Sequence, residues 1–261
     1  MFSRFFIFSI EDKDAAGKFF TLRALYFFAI IILIILLTGC GITDDREVVE
    51  SFEYDFWESP ADWEPFFTNF NVGWEEKMEL TADYRNLPEP LQTEDHAHFI
   101  SAINRSDDVK MLFRKQVEGL EPNTTYQVGY TVRFATAVPS GCAGIGGPPG
   151  EAVRVIASAS EIKPERFVDS ERGEDGYYLL NIRHLNDSAE WYQNAIMGDI
   201  ANSRECEDGF EYEIKEVSSD RNHDTVTSDE NGHAWLLFGT RSGFEGQTDL
   251  YYTYFRAEFR E

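Results

Sequence analysis

Apolar and polar positions alternate most sharply where Tyr126, Val128, Tyr130, Val132 and Phe134 interleave with Gln127, Gly129, Thr131 and Arg133. A period of two places one set on each face of an extended chain, so this stretch predicts a half-buried strand. Val109, Met111, Phe113, Lys115 and Val117 alternate likewise. Fainter patterns of the same kind predict strands over residues 51–56, 77–83, 97–103, 152–159, 177–184, 211–217, 233–240 and 250–259. Turn chemistry separates them, in Leu120-Glu121-Pro122-Asn123, Gly146-Gly147-Pro148-Pro149-Gly150 and Ser228-Asp229-Glu230-Asn231-Gly232. After residue 40 no helical period persists over about eleven residues. Strands without helices predict an all-β class: two antiparallel sheets packed as one β-sandwich over residues 51–261.

The pattern before residue 40 is of another kind. Residues 24–37 are fourteen consecutive apolar or aromatic positions, preceded by Lys18 and Arg23. A membrane-spanning helix takes about 20 such residues and the core of a signal peptide about 7–15, so the run predicts an export signal. It ends in Leu37-Thr38-Gly39-Cys40, which resembles the lipobox of bacterial lipoproteins, where the chain is cut before the Cys and the Cys is acylated. The resemblance implies a signal peptide over 1–39, lipidation of Cys40, a polar acidic tether over 40–50, and the lipid bilayer as a partner. An uncleaved signal anchor is the alternative, and small Gly39 favours cleavage. Gly41, rather than Asp, after the lipidated Cys points to the outer membrane of a cell that has one. The expected location is therefore lipid-anchored outside the cytoplasm.

Removing the signal segment, with its four Lys/Arg and three Asp/Glu, leaves 222 residues carrying 19 basic and 44 acidic groups, a net charge of −25. Nucleic acid is excluded as a partner, because its phosphates need a basic face. The acids are dispersed among plentiful aromatics, which suits a folded, soluble surface. With Cys40 assigned to lipid, Cys142 and Cys206 remain, and in an oxidising compartment they are expected to pair as a structural disulfide.

Gly119-Leu120-Glu121-Pro122-Asn123-Thr124-Thr125-Tyr126 resembles a segment of jelly-roll carbohydrate-binding modules, in which the Leu and Tyr plug the end of the sandwich and Pro-Asn turns the chain. Fibronectin type III domains use a similar tyrosine corner, but they are about 100 residues long. The longer, non-repeating chain suits a jelly roll. Phe56-Trp57-Glu58-Ser59-Pro60-Ala61-Asp62-Trp63 is similar to the opening segment of the same modules, whose acid often binds a structural calcium ion. That resemblance makes Glu58 a candidate calcium ligand, while Thr253 stands where a second acid is usual. The chain as a whole resembles a family of uncharacterised bacterial lipoproteins through residues 135–142, 146–151, 198–203 and 235–246. This likeness implies a fold and leaves activity unassigned.

Candidate chemistry is sparse. His96-Ala97-His98 sets two imidazoles on one face of a strand, and two surface histidines are the expected reading. The Gly-rich run 141–150 lacks a following helix, so a surface loop pinned by Cys142 is expected rather than a phosphate cradle. The notable concentration is aromatic: Phe52, Tyr54, Phe56, Trp57, Trp63, Phe66, Phe67, Phe70 and Trp74 fall within 23 residues, with five acids between them. Sugar rings stack on exposed aromatics while carboxylates bind hydroxyls. Phe52 and Phe56 share a strand face and are assigned to the core. Trp57, opposite in phase, and Trp74, in loop sequence, are the candidate ligand-binding residues. Asn202, Arg241 and Glu245 join them as loop polar groups, with hydrogen bonding at turns as their alternative role. The expected function is a non-catalytic module binding a glycan or cell-envelope polysaccharide. A structural or protein-interaction lipoprotein is the alternative, and a carboxylate-dependent glycan hydrolase a more distant one.

Overall fold

The computed structural model describes residues 47–92, 94–106, 108–186, 196–219 and 224–261. Cys40, the signal segment and most of the tether lie outside the described residues. Among those described, fifteen strands follow in chain order: β1 (Val48–Asp55), β2 (Glu64–Thr68), β3 (Phe70–Asn71), β4 (Thr81–Asn86), β5 (His96–Ile103), β6 (Lys110–Val117), β7 (Thr125–Thr136), β8 (Val153–Ser160), β9 (Arg166–Asp169), β10 (Tyr177–Leu180), β11 (Ile196–Asp199), β12 (Glu213–Ser218), β13 (Asp224–Thr227), β14 (Ala234–Ser242) and β15 (Gln247–Arg260).

They form an antiparallel jelly-roll sandwich. One sheet has the order β12-β7-β15-β5-β4, with β1 also pairing β15 and β13 also pairing β7; we call it sheet A. Sheet B has the order β11-β8-β14-β6-β2. The alternation in β7 does what its period requires. Tyr126, Val128, Tyr130, Val132 and Phe134 are all at most 4% exposed and join the main core, where they face Val155, Ala157, Leu236 and Phe238 of sheet B. Leu120 and Tyr126 close one end of that core. The Tyr126 hydroxyl accepts the Glu121 N–H at 2.9 Å, which fixes the turn that leads into β7.

The two outward faces differ. On sheet B, Leu112, Ile156 and Leu237 point away from the main core and are buried beneath Leu180, Ile182 and Leu185. These covering residues belong to an excursion that forms a third, three-stranded sheet, β3-β10-β9. The predicted strand 177–184 stops at Leu180 because the Asn186 side chain takes up both the N–H and the carbonyl of that residue. A 3-10 turn, Arg183–Leu185, follows. Sheet A carries a smaller apolar cluster on its outward face, Leu87, Ala97 and Ala135 with half-buried Leu91, Tyr212 and Tyr251. The rest of that face holds aromatic rings under paired charges. Arg85 lies 3.8 Å from the Phe99 ring centre, and Arg133 lies 4.8 Å from that of Tyr254 while bonded to Glu216 at 2.7 Å.

Candidate functional site

The last strand supplies the floor of the site. In its first half, Thr248, Leu250 and Tyr252 point inward and are at most 3% exposed, so Gln247, Asp249 and Tyr251 face outward. Asp249 is held in place from both sides. Its Oδ1 accepts the Ser101 hydroxyl at 2.6 Å, and the Gln247 amide donates to its two oxygens at 3.1 and 3.2 Å. Tyr212 stands edge-on to Tyr251, with ring centres 5.5 Å apart. Burial pushes the Tyr212 phenol up to about 12, aided by Tyr251 and by the negative charge of Asp249, so it remains a neutral hydrogen-bonding group.

Two loops make the walls. As β7 ends, the Thr136 hydroxyl donates to the Ile200 carbonyl at 2.9 Å and accepts the Val138 N–H at 3.3 Å, which turns the chain outward. The loop beyond is joined to the segment before β12 by a disulfide between Cys142 and Cys206, with Cα atoms 5.1 Å apart. Ser140 N–H adds a bond to the Arg204 carbonyl at 2.8 Å. Arg204 in turn holds its own segment through Glu211 at 3.1 Å and the Asp208 carbonyl at 2.8 Å. The third wall is Phe244. The backbone of Gly144 lies so close to it that an added Cβ would sit 2.6 Å from the ring, which explains a glycine there. Gly146 is left-handed, at φ +75°, and a Cβ on it would meet the Gly243 carbonyl at 2.2 Å. The Gly-rich run is thus a loop pinned by Cys142, as expected, and it packs on the segment that carries Phe244.

These parts enclose a cleft of about 430 Å³ at the end of sheet A. Phe210, Tyr212 and Phe244 supply its rings, the disulfide one flank, and Gln247 and Asp249 its polar floor. Phe210 is 68% exposed, so its ring is available to a ligand. Flat apolar surfaces beside an amide, a carboxylate and a phenol suit a molecule with apolar faces and hydroxyl edges.

The residues nominated from the sequence lie elsewhere or behind this cleft. Trp57 is 41% exposed in the turn after β1, with its N–H bonded to Asp55 at 3.1 Å. Trp74 is half-buried against Phe70, Met78 and Val109, with the Lys77 ammonium 4.7 Å from its ring centre. Neither lines the cleft. Asn202 is 9% exposed and braces the cleft from behind, donating to the carbonyls of Glu211 at 3.0 Å and Thr136 at 3.4 Å. Arg241 is bonded to Asp108 on the outward face of sheet B. Glu245 is exposed, and its N–H donates to the Ile145 carbonyl at 2.8 Å, tying the Phe244 segment to the Gly-rich loop. Glu58 is exposed, whereas Thr253 is 1% exposed and donates to the Arg133 carbonyl at 3.3 Å. No cluster of three or more His, Cys, Asp or Glu that suits a metal ion occurs among the described residues.

One expectation needs correction. His98 is not a surface histidine. It is 4% exposed, lies 4.8 Å from the ring centres of both Phe56 and Phe113, and has its Nε2 2.8 Å from the Pro60 carbonyl. Burial lowers its pKa, so it is a neutral core side chain with its polar atom satisfied. His96, half-buried, stacks on Tyr84. Of the nine aromatics in the early concentration, Phe56, Trp63 and Phe70 are core, at most 4% exposed, and Phe52, Tyr54 and Phe67 are partly buried against it.

Phe210, Tyr212, Phe244, Gln247, Asp249 and Tyr251 were missed in the sequence. The available signals were Phe210 directly after a glycine in polar surroundings, and the outward phase of Gln247, Asp249 and Tyr251.

No protein-family model matches the chain, and no curated protein matches it. Among solved structures it is similar to the K1 cleaved adhesin domain of Lys-gingipain from Porphyromonas gingivalis W83, with 10% identity over 80% of this chain and 97% of that one, at a TM-score of 0.34. It is similar to the mannan-recognising carbohydrate-binding module TmCBM27, with 10% identity over 82% and 99%, at a TM-score of 0.34. It is also similar to the enzymatically active domain of tailspike protein 4 of bacteriophage CBA120, with 15% identity over 74% of this chain, at a TM-score of 0.29. The chain spans only 19% of that tailspike's length. At these identities and TM-scores, the ligands of those proteins do not transfer to this chain.

Proposed function

We propose that this chain is a membrane-anchored extracytoplasmic lipoprotein whose sandwich binds a glycan in the cleft at the end of sheet A. The observation that carries the reading is the cleft's make-up: exposed Phe210 with Tyr212 and Phe244, set around the fixed polar pair Gln247 and Asp249. Aromatic faces match the apolar faces of sugar rings, and the amide and carboxylate match their hydroxyls. The disulfide supports an oxidising compartment, and anchoring through Cys40 follows from the lipobox resemblance. We assign binding rather than hydrolysis because, among the described residues, one carboxylate lines the cleft, whereas the common glycosidase mechanism takes two.

The test is a glycan array probed with the full-length protein in detergent. Phe210→Ala and Tyr212→Ala are each expected to weaken a positive signal about tenfold. Binding unchanged in both variants would refute the assignment of the cleft. Repeating the array and a thermal melt with EDTA tests the calcium expectation at Glu58, which predicts a lower melting temperature on chelation.

A further inference from the structure

We propose that the glycan recognised by this cleft carries protonated amines, as in an oligosaccharide of unacetylated amino sugars. The inference rests on the glycan-binding reading above and sharpens it by charge.

Among the described residues that line the cleft, Asp249 is the single charged side chain, and no Lys, Arg or His is among them. Its carboxylate accepts Ser101 and Gln247, and both are neutral donors that leave its charge uncompensated. Phe210, Tyr212 and Phe244 line the same cleft. The faces of Phe and Tyr are negative, and a cation within about 6 Å of such a ring is attracted more strongly as water is excluded. The turn that carries Cys206 presents exposed Glu205, Glu207 and Asp208. Two cations stand nearby, and both have acidic partners: Arg204 is paired with Glu211 at 3.1 Å, and Arg85, which hydrogen-bonds Tyr251, with Asp83 at 3.5 Å.

Ligand classes differ in what they do to Asp249. A uronate or phosphate-bearing sugar brings a second negative charge to a cleft whose described lining holds no cation. A neutral sugar that covers the floor removes water from the carboxylate and returns only hydrogen bonds, so part of the desolvation cost stands. An ammonium group replaces that water with an opposite charge and also meets the ring faces. The amine-bearing ligand therefore gains from the two features, carboxylate and rings, that the cleft combines.

The experiment compares three oligosaccharides on the full-length protein in detergent: β-1,4-linked glucosamine, its N-acetylated counterpart and a uronate oligomer. The glucosamine oligomer is expected to bind at least about tenfold tighter than the N-acetylated one, with the uronate weakest. Asp249→Asn keeps an acceptor for Ser101 and is expected to bring the first ratio close to one, with folding followed by thermal melting. A tenfold preference that survives Asp249→Asn would trace to the acidic surface at large and overturn the proposal. Equal or tighter binding of the N-acetylated or uronate oligomer by the unaltered protein would overturn it too, while leaving the glycan reading intact. Failure to bind any of these or any arrayed glycan would defeat the underlying reading.

Discussion

The two outward faces of the sandwich have opposite histories of burial. Sheet B turns Leu112, Ile156 and Leu237 outward and hides them beneath the excursion that carries Leu180, Ile182 and Leu185. Sheet A turns out rings and charges, and its end is left as a cleft between disulfide-linked loops. An antiparallel sheet with one covered and one solvated face is a stable arrangement. The difference teaches where a site can fit: the covered face adds to the core, while the open face leaves aromatic surface free for the ligand proposed above.

The comparison breaks most visibly at the disulfide, because it holds only the sheet A end. Cys142 and Cys206 are separated by 64 positions, and in the chain-entropy account releasing such a loop costs about 4 kcal/mol. Replacing both by Ser is expected to lower the melting temperature by many degrees and to abolish sugar binding. A melting temperature that responds neither to the replacement nor to reductant would show that the other contacts fix the loops alone.

Next in size is the cover over sheet B. Leu237→Ala removes a fully buried side chain from the outward cluster, with an expected loss of about 3 kcal/mol in denaturant melts. Ile214, 42% exposed on the outward side of sheet A, is the matched control, and Ile214→Ala is expected to cost below about 1 kcal/mol. Similar costs at the two positions would erase the distinction between the faces.

The seam between the sheets has its own signature in pH. Asp224 on β13 accepts the Tyr130 hydroxyl of sheet A at 2.6 Å and the Ala159 N–H of sheet B at 2.7 Å. Burial raises its pKa above the ordinary Asp value of 3.8 despite these bonds. A raised folded-state pKa means that its contribution is full below the unfolded value and is lost as pH rises through the folded one. His98 works in the reverse sense: burial lowers its pKa, so its contribution is present above the unfolded value of 6.5 and is lost as pH falls. Asp224→Asn retains an oxygen acceptor and is expected to flatten only the first limb in melts taken across pH. An unchanged profile would remove Asp224 from the account.

How far the sequence reached follows from the same geometry. β7 was legible because one of its faces is core and the other polar, which writes a period of two into the chain. The cover was legible only in part: the strand expected over 177–184 forms as β10, but β9 has four residues, with Phe167 and Val168 adjacent and both about half exposed, so no alternation exists to read there. β13 is equally short. The candidate site was hidden by an irregularity. In β15 the register shifts between Tyr252 and Tyr254, so the inward positions change phase from Leu250 and Tyr252 to Phe255, Ala257 and Phe259. A reader who carries one phase through Tyr251-Tyr252-Thr253-Tyr254 cannot tell which rings face out. The disulfide, by contrast, followed from counting cysteines.

The smallest expected effect separates the faces most cleanly. Phe210 is the most exposed aromatic lining the cleft, so its ring gains little from folding. Phe210→Ala is expected to change stability by less than about 0.5 kcal/mol, as surface substitutions do, while weakening sugar binding. A Phe buried within the fold behaves otherwise, because its removal leaves a cavity. Should Phe210→Ala instead lower the melting temperature as Leu237→Ala does, the ring would belong to the packing of the loops. The open end of sheet A would then be a second covered surface, closed by its own side chain rather than kept for a sugar.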